Sequence, residues 1–137
     1  MDAFDADVLI YAAAPGHPLG ARILDLFSSP EVTAGERSAG VGSVLLLPEL
    51  LSKPIREGAT DEVDALTALL GRLELMPVDH STAVVATALG SRYRLRAADA
   101  IHLATAISAG ADRFITNNAS DFSPAISEIA VVGPSEL

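Results

Sequence analysis

Met1-Asp2-Ala3-Phe4-Asp5-Ala6-Asp7-Val8-Leu9-Ile10-Tyr11-Ala12-Ala13 decides the architecture. Met1–Asp5 reads as a short strand. Asp7–Ala13 reads as the helix that follows, with Asp7 able to cap it. The same alternation continues along the chain. Further strands are expected at Val32–Ala34, Leu75–Val78, Arg113–Thr116 and Ile129–Val132. Further helices are expected at Pro18–Ser28, Pro48–Arg56, Thr60–Leu73, Ser81–Ser91 and Ala97–Ala109. Thr60 is the expected N-cap of its helix, with Asp61, Glu62 and Asp64 where the helix dipole favours negative charge. Gly58 and Gly110 punctuate helix ends. Pro54 should kink or shorten the helix around it. Glu31–Gly42 reads as a connecting loop. Strands separated by helices imply an α/β fold, a three-layer α/β/α sandwich around a mostly parallel sheet. In such sheets the functional groups gather beyond the carboxyl ends of the strands.

At 137 residues, the chain is expected to form a single domain over 1–137. Half of it is hydrophobic and there is no cysteine. A packed core is therefore within reach, while disulfide scaffolds, thiolate nucleophiles and Cys-ligated metal sites are excluded. No apolar run approaches the ~18 residues a membrane span needs. Met1-Asp2-Ala3-Phe4-Asp5 carries acid where a signal peptide carries base. These features lead to the expectation of a soluble, cytoplasmic protein without a membrane partner. The net charge of −9 argues against a generic binder of phosphate backbones, yet carboxylates are also natural ligands for hard divalent cations.

Four acids stand at the places the fold rule singles out. Asp5 ends the first strand, with Asp7 two residues on. Glu49 lies in the first turn of a helix that Pro48 can open. Asp99 falls in the first turn of an alanine-rich helix, with His102 one turn later on the same face. Asp121 follows the strand that ends at Thr116. Taken singly, each has a local explanation: a cap, a solvated glutamate, a charge paired with Arg96, a turn. Together they are carboxylates that would repel one another unless a cation held them. Mg²⁺ suits such a set.

Phe4–Tyr11, Leu47–Leu51, Ala98–Ala106 and Thr116–Phe122, in that order, resemble the PIN domain. More narrowly, they resemble the VapC-like toxins of bacterial toxin–antitoxin pairs. The likeness runs from about Met1 to Phe122. Its most specific parts are Asp99-Ala100-Ile101-His102-Leu103-Ala104-Thr105-Ala106 and Asn118-Ala119-Ser120-Asp121-Phe122. It implies a ribonuclease dependent on Mg²⁺ or Mn²⁺, in which Asp5, Glu49, Asp99 and Asp121 take the places of the metal-binding, catalytic acids. Asn118 matches the asparagine before the Asp-Phe pair, and Ser43 the polar residue ahead of the second acid. Asp7 stands where many members carry asparagine, and Asn117 where some carry a basic residue. The likeness further implies a homodimer neutralised by a cognate small antitoxin. His102 reads as a helix residue near the site rather than a general base, and His17 as a loop residue.

Eight of the nine basic residues are arginine. Arg92, Arg94 and Arg96 alternate in what reads as an extended connection before Asp99. They are candidates for gripping RNA phosphates, or for a solvated edge that pairs with nearby acids. The leucine-rich Val44–Leu51 and Thr60–Leu73 are either surplus surface for an interface or a generous core. Two other readings stay open. A phosphoaspartyl-type phosphohydrolase also begins with a strand and Asp-x-Asp, but wants a positioned lysine, and Lys53 is the only one. A non-catalytic interaction module of the same fold would not need converging acids. On the ribonuclease reading, four of the negative charges belong to one pocket, which repels RNA until divalent metal offsets them.

Overall fold

The computed structural model describes residues 1–118 and 120–137; Ala119, within the Thr116–Phe122 block, lies outside them. Five strands form one parallel sheet: β1 (Asp2–Phe4), β2 (Gly40–Ser43), β3 (Leu73–Met76), β4 (Arg113–Ile115) and β5 (Ala130–Val132). Their order is β3-β2-β1-β4-β5. Seven α-helices accompany them among the described residues: α1 (Ala6–Ala13), α2 (Pro18–Asp25), α3 (Pro30–Thr33), α4 (Leu46–Arg56), α5 (Thr60–Leu70), α6 (His80–Tyr93) and α7 (Ala97–Ser108).

The pleat sorts the strand side chains into two cores. Phe4 and Ile115 point to one face, where Val8, Leu9, Ile23, Leu46, Leu50, Leu66 and Leu70 from α1, α2, α4 and α5 pack on them. Ala3, Val41 and Phe114 point to the other, against Leu89, Leu103 and Ala104 of α6 and α7. The result is the expected α/β/α sandwich. The leucine-rich segments mostly feed the first core, although Leu47 is exposed. No helix among the described residues is long and apolar enough to cross a membrane.

The sheet departs from the sequence reading in one important place. Val32–Ala34 is not a strand. Val32 and Thr33 belong to α3, where Ser29 caps and Pro30 occupies the first turn. The second strand lies instead in Gly40-Val41-Gly42-Ser43, whose first three residues close the stretch read as a loop, and all four residues are buried. Glycine is normally a poor strand former. Here it is required by proximity: a Cβ on Gly40 would stand 2.2 Å from the Asp2 carbonyl oxygen, and one on Gly42 would stand 2.5 Å from a Leu46 methyl. The close approach of β1, β2 and α4 thus selects against side chains.

Other differences are at element ends. α5 stops at Leu70, since Gly71 follows, and Leu73 becomes the first residue of β3 rather than the end of a helix. The N-cap of α5 is Ala59, not Thr60. α4 begins at Leu46, two residues before Pro48, and runs past Pro54 to Arg56. α2 ends at Asp25. Gly58 and Gly110 do terminate helices, at φ of 66° and 76°, the left-handed conformation in which glycine carries no Cβ penalty.

Candidate active site

β1 and β4 pair in register, Phe4 opposite Ile115. The helical connections after β1 pass to one face of the sheet, and the connection that returns to β4 carries α6 and α7 on the other. Strand order therefore reverses between β1 and β4, and the crevice beyond their carboxyl ends is where ligands bind in such sheets. The Asp5 amide donates to the Ile115 carbonyl at 3.0 Å, so Asp5 is fixed at this edge by the sheet itself.

Asp5 is buried and caps α1. Its Oδ1 accepts from the Ala6 amide at 2.8 Å and its Oδ2 from the Thr116 hydroxyl at 2.8 Å. Thr116 in turn accepts from the Asn118 amide at 3.1 Å. The sequence reading gave Thr116 no functional place. A hydroxyl directly after a buried strand is the signal that could have found it. Asp7 Oδ2 accepts from the Asn117 amide at 2.9 Å, and the Asn117 side-chain amide donates to the Tyr11 hydroxyl at 3.1 Å. These bonds join the start of α1 to the end of β4.

Asp5, Asp7, Glu49 and Asp99 line one cavity of about 400 Å³, with Tyr11, Asn117 and Asn118 completing its wall. Glu49 comes from the first turn of α4 and Asp99 from that of α7. Three separate elements thus deliver carboxylates to one place. Burial, then the neighbouring Asp5 charge, push the Asp7 carboxyl up to about 6. Burial, then Asp5 and Asp121, raise Asp99 as well, with His102 and Arg96 partly opposing. No ion pair joins Asp99 to Arg96 among the described residues.

Asp121 stands apart from the other acids. It lines an adjoining cavity of about 270 Å³ that shares Asp99 and is bordered by Arg94 and Arg96. The Asn118 side-chain amide donates to Asp121 Oδ2 at 2.6 Å. Ser43 is buried, and its Oγ accepts from the Leu45 amide at 3.1 Å, holding the turn into α4; it is not part of the cavity wall. Lys53 is exposed on α4 and does not line the cavity either, so the phosphoaspartyl reading finds no positioned lysine. The three arginines are not an extended run. Arg92 lies in the last turn of α6 and pairs with Glu128 at 3.7 Å. Arg94 adopts the left-handed conformation at φ 57° as the C-cap, and Arg96 is the N-cap of α7. A tight helix-to-helix turn replaces the extended segment and leaves Arg94 and Arg96 at the second cavity. His17 is a cap, not a plain loop residue: its Nδ1 accepts from the Leu19 and Gly20 amides, and its ring stacks on Tyr11.

Comparison with known proteins decides the family. The PIN domain family model matches residues 3–123. The chain belongs to the PIN domain family. Among solved structures, the PIN chain is similar to a toxin–antitoxin complex from Klebsiella pneumoniae, at 23% identity and a TM-score of 0.65 over 100% of each chain. It is also similar to VapBC2 from Rickettsia felis bound to a DNA fragment from its promoter, at 17% identity and a TM-score of 0.71, over 96% of this chain and 97% of that one. A third neighbour is FitAcB from Neisseria gonorrhoeae, at 19% identity and a TM-score of 0.72 over 100% of each. At these identities the likeness is one of fold. No curated protein matches the chain significantly.

The donor set is all hard oxygen, which suits Mg²⁺ or Mn²⁺ over softer metals. Among the described residues no three acidic or histidine side chains are gathered at ligating distance. A cation here would be held by one or two carboxylates, with water and substrate oxygen completing its shell, as Mg²⁺ commonly is. In metal-free protein the raised Asp7 carboxyl has a definite consequence. Between its unfolded value of 3.8 and about 6, the folded state holds a proton that the unfolded state lacks, so stability falls as pH rises through this window. Asp7→Asn relieves the carboxylate charge only at the higher pH while giving up one of the two accepted amides at both, so its Tm relative to the wild type should be a few degrees higher at pH 8 than at pH 4. Thermal melts at the two pH values check this; an equal shift at both would contradict it.

Proposed function

We propose that this PIN domain is a divalent-metal-dependent ribonuclease and the VapC-like toxin of a VapBC-type toxin–antitoxin pair. The observation that carries the reading is the convergence of Asp5, Asp7, Glu49 and Asp99 at the strand-order reversal, with two of the four carboxyls held up by burial and by neighbouring charge. A binding module gains nothing from acids that repel one another, whereas a cation site requires them. Asp5, Glu49 and Asp99 are read as metal-binding catalytic acids. Asp121 serves at the neighbouring cavity, and Asn118 orients it. Asp7, Asn117 and Ser43 support the geometry.

A divalent cation bound there supplies Lewis-acid chemistry, acidifying water and offsetting charge on a phosphoryl oxygen. The chain itself does the rest. Thr116 and the Ala6 amide hold Asp5 in one orientation. Arg94 and Arg96 border the adjoining cavity that shares Asp99, and guanidinium can grip phosphates flanking a scissile bond in bidentate fashion. Arg92, whose exposed side chain stands 3.7 Å from Glu128, completes the proposed RNA-binding set. Replacing Arg94 and Arg96 together by alanine should weaken RNA binding and lower the slope of log affinity against log salt by about 2. An unchanged slope would remove the arginines from the interface.

The same reading makes residues 1–137 one cytoplasmic domain that pairs with a second copy and with a small cognate antitoxin. The fold neighbours that are toxin–antitoxin complexes support it. The direct test is cleavage of end-labelled total RNA by purified protein with Mn²⁺ or Mg²⁺, then with EDTA. Cleavage that stops with chelator and returns with metal is expected. Cleavage indifferent to EDTA, or none with metal, would overturn the proposal.

A further inference from the structure

His102 lies in α7, one turn beyond Asp99, and is 3% exposed. Its Nε2 stands 2.5 Å from Glu49 Oε1. Its Nδ1 is buried with no hydrogen-bond partner among the described residues. The Glu49 carboxylate is therefore the ring's polar partner, and because a carboxylate only accepts, Nε2 carries the hydrogen.

The other acids of the cavity are held differently. Asp5 and Asp7 receive backbone amides and the Thr116 hydroxyl at the joined ends of β1 and β4. Glu49 stands on α4, outside that network, on a side chain with three rotatable bonds. Ordering such a chain costs rotamer freedom that a fixed partner can offset. α7 thus supplies Asp99 to the cavity and, one turn later, the group that grips the acid facing it.

We propose that His102 is a positioning residue: its Nε2–H fixes Oε1 of Glu49, leaving the second carboxylate oxygen for a divalent cation shared with Asp5 or Asp99. The inference rests on the metal reading above and adds to it a residue outside the cavity wall. A buried histidine with one polar partner and an unsatisfied second nitrogen is poorly explained by packing alone, since an apolar side chain would fill the same space without an orphaned nitrogen.

The test uses Mn²⁺ titration calorimetry on the full chain, with Tm measured alongside. Glutamine places an amide nitrogen near the position of Nε2; asparagine places it near Nδ1 and out of reach of Glu49. His102→Gln should keep Mn²⁺ affinity near that of the wild type. His102→Asn and His102→Leu should weaken it by about 10–100-fold, and neither should weaken it further once Glu49→Gln is present. Equal affinities for His102→Gln and His102→Asn, or wild-type affinity in His102→Leu, would overturn the role. If His102→Leu fails to fold, the Gln and Asn pair still decides. Wild-type protein that binds no Mn²⁺ would instead overturn the metal reading of the cavity itself.

Discussion

Asp99→Asn should abolish RNA cleavage while the fold stands. The substitution keeps size and shape and removes one charge from the wall shared by the two cavities. Loss of a ligand that helps neutralise a reacting phosphate is worth several kcal/mol, so cleavage should fall by roughly 100-fold or more. Stability should move the other way, or not at all. Burial and the charges of Asp5 and Asp121 raise the Asp99 carboxyl, which means that its negative charge at neutral pH works against the metal-free fold. Chelator-treated Asp99→Asn should accordingly melt no lower than the wild type. A variant that cleaves normally would remove Asp99 from the chemistry. One that loses activity and melts much lower would make it a structural residue.

The second large effect is on the scaffold. Gly40→Ala puts a methyl 2.2 Å from the Asp2 carbonyl oxygen and 2.9 Å from the Phe4 ring. Backbone cannot yield as a side chain tip can, so β1 and β2 must part. Overpacking of this kind costs about 3 kcal/mol, which for a chain of this length lowers Tm by about 10 °C. The cost should reach the site, because Asp5 follows Phe4 directly and is placed by β1. Thermal melts and the cleavage assay together check both parts. A variant of unchanged Tm would contradict the close approach of β1 and β2.

Much of this architecture was legible in sequence because it depends on local pattern. The strand-to-helix reading of Met1–Ala13 places Asp5 at the sheet edge, and the alanine-rich first turn after Arg96 places Asp99 opposite. Those two positions need only periodicity and helix starts. β2 was not legible, because Gly-Val-Gly-Ser lacks the bulky alternation by which strands are recognised. Gly40 answers to Asp2, 38 residues away in sequence, a cause that no local window contains. The same holds for His102. From its own helix it is a residue beside Asp99; only the fold brings Glu49, 53 residues earlier, to its Nε2. The arginines illustrate the converse. Their spacing is equally consistent with extended chain and with a helix-to-helix turn, and the left-handed Arg94 settles it for the turn.

The acidity of the chain takes on a specific meaning in this account. Asp5, Asp7, Glu49 and Asp99 account for four of its eighteen acids, gathered in one cavity where the proposed RNA substrate would approach. Metal-free protein should repel RNA at this edge, and loaded protein should accept a phosphate there.

Anomalous diffraction from crystals soaked in Mn²⁺ tests that claim most directly. A peak is expected within the cavity bounded by Asp5, Glu49 and Asp99, absent from crystals of Asp99→Asn soaked in the same way. A cavity without a peak at saturating Mn²⁺, or a peak that persists unchanged in Asp99→Asn, would contradict it.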